Sequence, residues 1–387
     1  MHLATLLTLP LLAAAIPAPQ APAGDAQAVF GIENNNNAVS SDLNIDLNEL
    51  RLVKFSEDEP PKWITELEKI EARARGRKFM DITDTPTLGL TSFLNEDKYE
   101  YPKPGKYKKD IKALYKNLSE DHMKQFLSKF TSFRTRYYKS QTGKESQKFL
   151  LSTIKEIARD EKEIDISEFE HPWGQNSIIV RFPHTGKKDA PRVVVGSHLD
   201  STNMWPFLPA PGADDDGSGT TSSLEAFRAL VHGNFTPSGP VEFHWYSAEE
   251  GGLLGSQAVA KSYEDKGVKV KAMLQMDMTA WVKTGTEEHV GLVHDFVSAS
   301  LTKFVWKTAE TYLDIGVRET KCGYACSDHA SFTKAGYPSA FAIESEFDLT
   351  NHNIHSTSDT IDHPEFSFSH MKEFSKLAIA FAYELGA

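Results

Sequence analysis

Polar residues that could bind a metal ion follow an apolar strand pattern near the middle of this 387-residue chain. The β-branched run Val193–Val195 leads to His198 and Asp200, which places both side chains at the carboxyl edge of a strand, where open α/β sheets bind their ligands. Three consecutive aspartates at 214–216 follow before a glycine-rich turn. Adjacent carboxylates are unfavourable unless a cation, a helix N-terminus or water receives them. Each motif alone is equally typical of a solvated turn with a helix cap, so a metal site requires further ligands elsewhere in the chain.

Three later stretches add acidic and imidazole side chains at the ends of strand patterns. Glu249 and Glu250 follow one apolar run, Asp277 lies near the end of another, and His355 precedes a turn. Neighbouring side chains at a strand end diverge, so Glu250 could bind a metal while Glu249 faces the substrate as a general base. Asp277 needs a partner, because burying an unpaired carboxylate in an apolar run is unfavourable.

The chain thus offers two imidazoles and three carboxylates as candidate metal ligands: His198, Asp215, Glu250, Asp277 and His355. Nitrogen and oxygen ligands of this kind suit zinc. Two Zn²⁺ ions, three carboxylates and one bridging hydroxide sum to a neutral site, whereas one zinc with all three carboxylates would be negative. Two metals about 3.5–4 Å apart can activate a shared water and polarise a carbonyl group. Glu249 would then take the proton of that water and pass it to a leaving amine.

The elements that carry these residues alternate between strand and helix. Strand patterns cover 177–182, 192–196, 241–246, 272–278 and 339–343, and helical patterns cover 101–157, 218–231, 255–266, 297–312 and 366–385. This alternation predicts an α/β fold, in which one globular domain has a mostly parallel central sheet flanked by helices.

The region before this domain has a different composition. The apolar run Leu3–Ile16, followed by a Pro-Ala-Pro sequence, is typical of a secretory signal peptide, which we assign to residues 1–19. An Ala-, Pro- and Asn-rich linker precedes a charged, helix-prone segment at 50–81. A charged, structured region between a signal and a catalytic part suggests a removable pro-segment. We therefore predict a pro-segment at 20–87 and a catalytic domain at 88–387, the alternative being a permanent extension.

Charge and hydropathy restrict the partners. The formal net charge of −12 argues against nucleic acid or an anionic membrane surface, since both require clustered Lys and Arg. After the signal, the sequence has no continuous apolar run of about 18 residues that could span a membrane. We expect a secreted, extracellular monomer whose partners are its substrate and its own pro-segment, acting as inhibitor or folding aid.

Two cysteines and two sequons fit an extracellular location. Cys322 and Cys326 are the only cysteines, and in an oxidising compartment a pair this close could form a disulfide. A two-cysteine zinc site is the weaker alternative, because no second pair completes it. Asn117 and Asn234 begin Asn-x-Ser/Thr sequons and are candidate glycosylation sites.

The ordered motifs resemble those of the co-catalytic dizinc aminopeptidases, most closely the secreted fungal leucine aminopeptidases. The matching motifs are Gly-Ser-His-Leu-Asp-Ser, Pro-Gly-Ala-Asp-Asp-Asp-Gly-Ser-Gly, Ala-Glu-Glu, Leu-Gln-Met-Asp-Met-Thr, Cys-Gly-Tyr-Ala-Cys-Ser-Asp-His-Ala and Ile-His-Ser-Thr-Ser-Asp. The resemblance covers the chain from about Tyr101 to the C-terminus, and Lys78–Thr83 is similar to the fungal pro-regions.

This resemblance implies a role for each candidate ligand. Asp215 would bridge two zinc ions, His198 and Asp277 would complete one site, and Glu250 and His355 the other. Asp200 would orient His198, as metal-bound histidines generally require. Glu249 would be the general base.

The resemblance also implies the surroundings of the reacting groups. Cys322 and Cys326 would form the family's disulfide, which places Tyr324 beside the site as a hydrogen-bond donor to the reaction intermediate. An apolar pocket for the N-terminal side chain of the substrate would be lined by Met278, Ile343, Phe347 and Ile354. Thr350 stands where a relative has an aromatic residue, which leaves the pocket shape open.

The function expected is that of an extracellular metallo-aminopeptidase that removes N-terminal, preferentially apolar, leucine-type residues from peptides. One alternative is a glutaminyl cyclase-like enzyme that uses a single zinc on the same fold. Another is a non-catalytic, receptor-like module without metals, which the intact set of ligands argues against. Other histidines and aspartates are expected to be core, surface or turn residues: His244, His329, His352, His363, His370, Asp214 and Asp216.

Overall fold

The computed structural model describes residues 43–92 and 99–387, so the predicted signal peptide and most of the linker lie outside the described residues. The strands are β1 (Leu50–Lys54), β2 (Lys62–Thr65), β3 (Met80–Asp81), β4 (Asp165–Phe169), β5 (Ser177–Arg181), β6 (Arg192–His198), β7 (Val241–Tyr246), β8 (Val270–Met276), β9 (His289–Val293), β10 (Gly316–Thr320) and β11 (Ser339–Ile343). The α-helices are α1 (Glu66–Ala74), α2 (Lys108–Leu114), α3 (Glu120–Phe130), α4 (Gln141–Ile157), α5 (Gly217–His232), α6 (Leu254–Asp265), α7 (Ala299–Tyr312), α8 (His329–Lys334) and α9 (Phe368–Gly386).

Strands β4 to β11 form one eight-stranded sheet in the order β10-β9-β11-β8-β6-β7-β5-β4. At its centre β6 pairs in parallel with both β7 and β8, and β11 pairs in parallel with β8. The antiparallel pairs are β4 with β5, β5 with β7, and β9 with β11. The prediction of one α/β domain with a mostly parallel sheet is confirmed.

Helices cover both faces of this sheet, which is why β6 is apolar without interruption. Val193 and Val195 face a large core that includes Phe227 of α5 and Phe381 of α9. Val194 points to the opposite face, where α6 and α8 pack, and contributes to a second core with Phe332. The two-residue period of the strand thus divides its side chains between two helical layers.

The sequence patterns missed strands at the edges of the sheet. Strand β4 contains alternating polar residues and is exposed at one edge, while β10 forms the other edge and is mostly exposed. The helical pattern at 101–157 resolves into α2, α3 and α4. No helix within residues 43–92 or 99–387 has the length and apolarity needed to cross a membrane.

The N-terminal segment forms a small sheet of its own. Strand β1 pairs with β2 and β3 in antiparallel orientation. Trp63 and Ile64, which we expected to be helical, belong to β2. Helix α1 begins one residue later because Thr65 accepts from the Glu68 backbone while the Glu68 side chain accepts from Thr65 N, forming a capping box.

Candidate active site

Three parallel strands bring the predicted ligands to one edge of the sheet. His198 is the last residue of β6, Glu249 and Glu250 follow β7, and Asp277 comes directly after β8. Because these strands are neighbours and run in the same direction, their carboxyl ends meet.

Two loops complete the arrangement. Asp215 lies just before α5, and its Oδ1 atom is 3.2 Å from His198 Nε2. His355 lies in the loop after β11, and its Nε2 atom is 3.0 Å from Asp215 Oδ2 and 3.1 Å from Glu250 Oε2. The second neighbour of His198 Nε2 is Asp277 Oδ1, at 3.6 Å. These residues form two possible metal-binding groups, His198–Asp215–Asp277 and Asp215–Glu250–His355, which share one carboxylate.

Several atoms of these groups that could bind a metal are buried and form no hydrogen bond with the protein. Within residues 43–92 and 99–387, His198 Nε2, Glu250 Oε1 and Asp277 Oδ1 have no hydrogen-bond partner. Unsatisfied buried polar atoms are unfavourable, and imidazole nitrogens with carboxylate oxygens are the ligands that zinc accepts. The donor set therefore fits zinc ions.

Asp200 links the end of β6 to the turn that follows β7. Its Oδ1 atom is 3.4 Å from His198 Nδ1. Its two oxygens also accept hydrogen bonds from the backbone N–H groups of Glu249 and Glu250, at 3.1 and 3.2 Å. Asp200 therefore fixes the turn at Glu249 and Glu250, which we call the glutamate turn, as well as His198.

Sequence reasoning missed two further supports of the ligands. The Ser327 hydroxyl donates to Asp277 Oδ2 at 2.6 Å. Asp216, expected only in a turn, caps α5 and accepts from the backbone of His198 at 2.9 Å and of Met278 at 3.2 Å. A serine and the last aspartate of a run of three carry no sequence signal for such long-range contacts.

Histidine protonation is tied to the same carboxylates. Burial lowers the pKa of His355, but Glu250 and Asp215 outweigh it and raise that pKa to about 9. The pKa of His198 is raised well above its usual value, because Asp277, Asp200 and Asp215 outweigh the effect of burial. In the absence of a cation both imidazoles therefore hold a proton at neutral pH.

Glu249 and Tyr324 lie beside the ligand groups. Burial raises the pKa of Glu249 well above its usual value, His198 opposes the rise, and Glu250 and Asp277 add to it. Burial and then the Glu249 charge raise the pKa of Tyr324, so its hydroxyl keeps a proton and can donate a hydrogen bond. Cys322 and Cys326, on either side of Tyr324, are joined in a disulfide.

An apolar wall adjoins the ligands in a cavity of about 290 Å³. Phe341, which sequence reasoning missed, is 2% exposed and packs against the wall and the stacked ring of His329. The four predicted pocket residues and Thr350 all line this cavity: Met278, Ile343, Phe347, Ile354 and Thr350.

The N-terminal segment lines the same cavity with Arg73, Arg77, Lys78 and Phe79. The Lys78 ammonium lies 5.2 Å from the centre of the Tyr324 ring. The chain after α1 therefore lines the same cavity as the two ligand groups.

The other residues singled out in the sequence lie outside both ligand groups. Asn234 is exposed on the turn after α5, whereas Asn117 is half-buried and its side-chain amide donates to Ala229 O at 3.2 Å. His244 is buried in β7 and contacts Glu242, and His370 is buried in α9. His363 is half-buried, and its Nε2 atom lies 2.7 Å from Ser358 O. His352 lines the cavity outside both ligand groups.

A parallel sheet whose carboxyl edge gathers such a donor set is the scaffold of a metal-dependent hydrolase. Residues 177–382 match Peptidase family M28. Leucine aminopeptidase 1 of Chaetomium globosum is 49% identical over 339 residues, which cover 84% of this chain and 82% of that protein. Leucine aminopeptidase 1 of Pyrenophora teres f. teres is 45% identical and covers 98% of this chain and 97% of that protein.

Among solved structures, the LapA aminopeptidase of Legionella pneumophila matches with a TM-score of 0.76 and 27% identity, covering 90% of this chain and 96% of that chain. The chain belongs to peptidase family M28. The resemblance to fungal leucine aminopeptidases and the prediction of a zinc exopeptidase are thereby confirmed.

Proposed function

We propose that this protein is a secreted metallo-aminopeptidase that removes N-terminal, preferentially apolar, leucine-type residues from peptides with two zinc ions per chain. The observation that carries the proposal is the position of Asp215, whose two oxygens face two different histidines at 3.2 and 3.0 Å. A carboxylate placed in this way suits a bridge between two cations. The names of the fungal relatives support the choice of an aminopeptidase with leucine-type specificity.

Zinc ions held by these two groups would polarise the scissile carbonyl and lower the pKa of a water molecule. Glu249 takes a proton from the attacking water and delivers it to the leaving amine, as general acid–base catalysis requires. Tyr324 donates a hydrogen bond to the carbonyl oxygen as negative charge develops there. Asp200 keeps His198 and the glutamate turn in register through its contacts with both.

The cavity supports cleavage at a chain end. Its apolar wall accepts one aliphatic side chain, and the buried Phe341 closes the wall behind it. The free amine of a peptide would meet the carboxylates of Glu249 and Glu250, which line the same cavity. An internal segment of a longer chain has no comparable positive group to place there.

We also propose that residues 20–87 are an inhibitory pro-segment, that 1–19 is the signal peptide, and that the catalytic domain begins near residue 88 and acts as a monomer. The support is steric, because Arg77, Lys78 and Phe79 line the cavity that a substrate must enter. The backbone N–H of Asp81 also donates to Gly252 O at 3.1 Å, beside the glutamate turn.

Metal analysis combined with an assay on a panel of amino-acid amides tests the activity. We expect two zinc ions per chain and fastest hydrolysis of leucine amide. One zinc ion per chain together with cyclisation of N-terminal glutamine would establish the cyclase instead. A purified protein with no zinc and no turnover would favour the receptor-like module.

The pro-segment is tested by comparing the full chain with a form cleaved near residue 88. We expect the cleaved form to hydrolyse leucine amide faster, because its cavity is open. Equal rates for the two forms would leave the segment without an inhibitory role.

A further inference from the structure

Large apolar side chains are concentrated on the surface at one place. Among the described residues, four large apolar side chains are exposed: Leu90 at 66%, Met204 at 44%, Phe207 at 40% and Leu208 at 39%. Three of these four lie within five consecutive residues, which we call the 204–208 loop. Single exposed apolar residues are normal, but a contiguous group marks a binding surface.

The backbone of the 204–208 loop is held by hydrogen bonds on both sides. Trp205 N donates to Asn203 Oδ1 at 3.2 Å, and Leu208 N donates to Trp205 O at 2.9 Å. Arg134 Nη2 donates to Phe207 O at 2.7 Å. The side chains are therefore displayed by a fixed backbone, which lowers the entropy lost when a ligand binds.

This loop adjoins the ligand groups directly. Met204 N donates to His355 O at 2.9 Å, and the Met204 side chain lines the cavity together with Asp215, Glu250 and His355. Phe207 and Leu208 are exposed further along the same loop, and the Phe207 ring lies 6.2 Å from that of Trp205.

When a peptide places its first side chain against the apolar wall of the cavity, the residues after the scissile bond must extend out of the cavity. Each extended residue adds about 3.3–3.6 Å, so the second and third residues lie just outside the ligand groups. An apolar surface there would bury an apolar side chain at the second position and favour its binding.

We propose that the 204–208 loop is a substrate subsite that selects peptides with an apolar residue after the cleaved bond. This inference rests on the proposed aminopeptidase function and adds a specificity determinant to it. The occupant is the second residue of the peptide substrate, because the loop is continuous with the cavity that holds the ligand groups.

The experiment compares kcat/KM for Leu-Leu-Ala and Leu-Gly-Ala, using enzyme produced from the full chain and activated by cleavage near residue 88. In the double variant Phe207→Ser/Leu208→Ser the preference for Leu-Leu-Ala over Leu-Gly-Ala should fall about tenfold, because the lost contact is apolar. Leu90→Ser is the matched control, since Leu90 is similarly apolar and exposed but lies outside the 204–208 loop; it should leave the ratio unchanged.

Three outcomes overturn the subsite. An equal loss on both peptides would show that the loop only supports the fold or His355. Unchanged kcat/KM values for both peptides in the double variant would remove the loop from peptide selection, and sedimentation showing that the substitutions dissociate a dimer would assign the surface to a second copy. If the parent enzyme cleaved neither peptide nor leucine amide, the aminopeptidase function itself would fail.

Discussion

Two regions of this molecule bury charge, and they balance it in opposite ways. In the N-terminal segment, Asp81 is fully buried and contacts Arg51 Nε at 2.7 Å and Lys69 Nζ at 3.0 Å. Lys69 also lies 2.9 Å from Glu66 as an ion pair, and Lys139 of the catalytic domain lies 2.9 Å from Glu49. The buried members of this cluster are two cations, Arg51 and Lys69, and two carboxylates, Glu66 and Asp81, so their charges match.

The carboxyl edge of the large sheet has no such balance. Within the described part of the chain, Asp215, Glu250 and Asp277 form ion pairs with two histidines and no lysine or arginine, and these histidines are neutral when they bind a metal. Among the described residues, Glu250 Oε1 and Asp277 Oδ1 are buried without a hydrogen-bond partner, as are both oxygens of Glu66 in the N-terminal cluster, but Glu66 has the Lys69 ammonium 2.9 Å from its Oε2 atom.

The difference separates charges that hold the N-terminal segment in place from charges that are suited to binding metal ions. A buried cluster whose charges match can hold a segment in place without any additional ion. A buried cluster with excess negative charge and unpartnered atoms is stable only when cations or protons supply what is missing. Breaking either balance should therefore have different consequences.

Metal removal should have the largest effect. Chelation should abolish hydrolysis of leucine amide, and readdition of zinc should restore it. Because His355, with its pKa raised to about 9, and His198 must lose their protons to bind metal, zinc uptake at pH 7 should release protons. Calorimetry in buffers of different ionisation enthalpy measures this release.

The sign of the pH dependence follows from the same shift. In the metal-free protein a raised His355 pKa contributes stability that is complete below about pH 6.5 and lost as the pH rises through about 9. Zinc affinity should rise over that interval. Zinc uptake without proton release would contradict the assignment of these histidines as ligands.

Glu249→Ala should come next in size. The variant should retain two zinc ions, because Glu249 is outside both ligand groups, and should lose about 10³-fold or more in kcat with the proton-transfer group gone. The matched change Glu250→Ala should instead lose metal. Near-normal turnover in the first variant would remove Glu249 from the mechanism.

Asp81→Asn probes the balanced cluster. Burial raises the pKa of Asp81, but Lys69 and Arg51 outweigh it and lower that pKa to about 2. At neutral pH the lost charge should destabilise the N-terminal segment by about 2 kcal/mol, as measured by hydrogen exchange of β1 and β3. The contribution is present above about pH 3.8 and lost as the pH falls through about 2, so parent and variant should converge over that interval.

Asp84 provides the control for this change. It contacts the same Arg51 at 3.1 Å, but its side chain is 52% exposed, so solvent screens the pair. Asp84→Asn should change the exchange rates little. Equal effects from the two substitutions would show that burial of the charge does not determine how the segment is held.

The central elements could be predicted from sequence because their signals are local. The run Val193–Val195 and the helical pattern of 218–231 each follow from a few adjacent residues. Edge strands such as β10 lack this signal, because they are largely polar and exposed and pair with a neighbour on one side only.

The candidate ligands could likewise be chosen from local signals: His198, Glu250 and Asp277 come after apolar runs, Asp215 lies in a run of three aspartates, and His355 precedes a turn. The groups that position them could not, since their partners are remote in sequence. Arg136 is buried and donates from Nε to Leu199 O at 3.0 Å and from Nη2 to Gly212 O at 2.8 Å. It thereby ties the loops of His198 and Asp215 together, yet nothing around residue 136 in the sequence predicts that contact.

Ser327→Ala should have the smallest effect of these changes, a modest loss of zinc affinity, and it tests one hydrogen bond to a ligand. The hydroxyl donates to Asp277 Oδ2, and removing such a support from a ligand typically lowers metal affinity about tenfold. Ser331→Ala is the matched control, because Ser331 is equally buried but contacts Ser256 at 2.8 Å. Zinc titration should separate the two variants even if their melting temperatures fall alike, since only Ser327 contacts an atom that the excess negative charge leaves dependent on a cation.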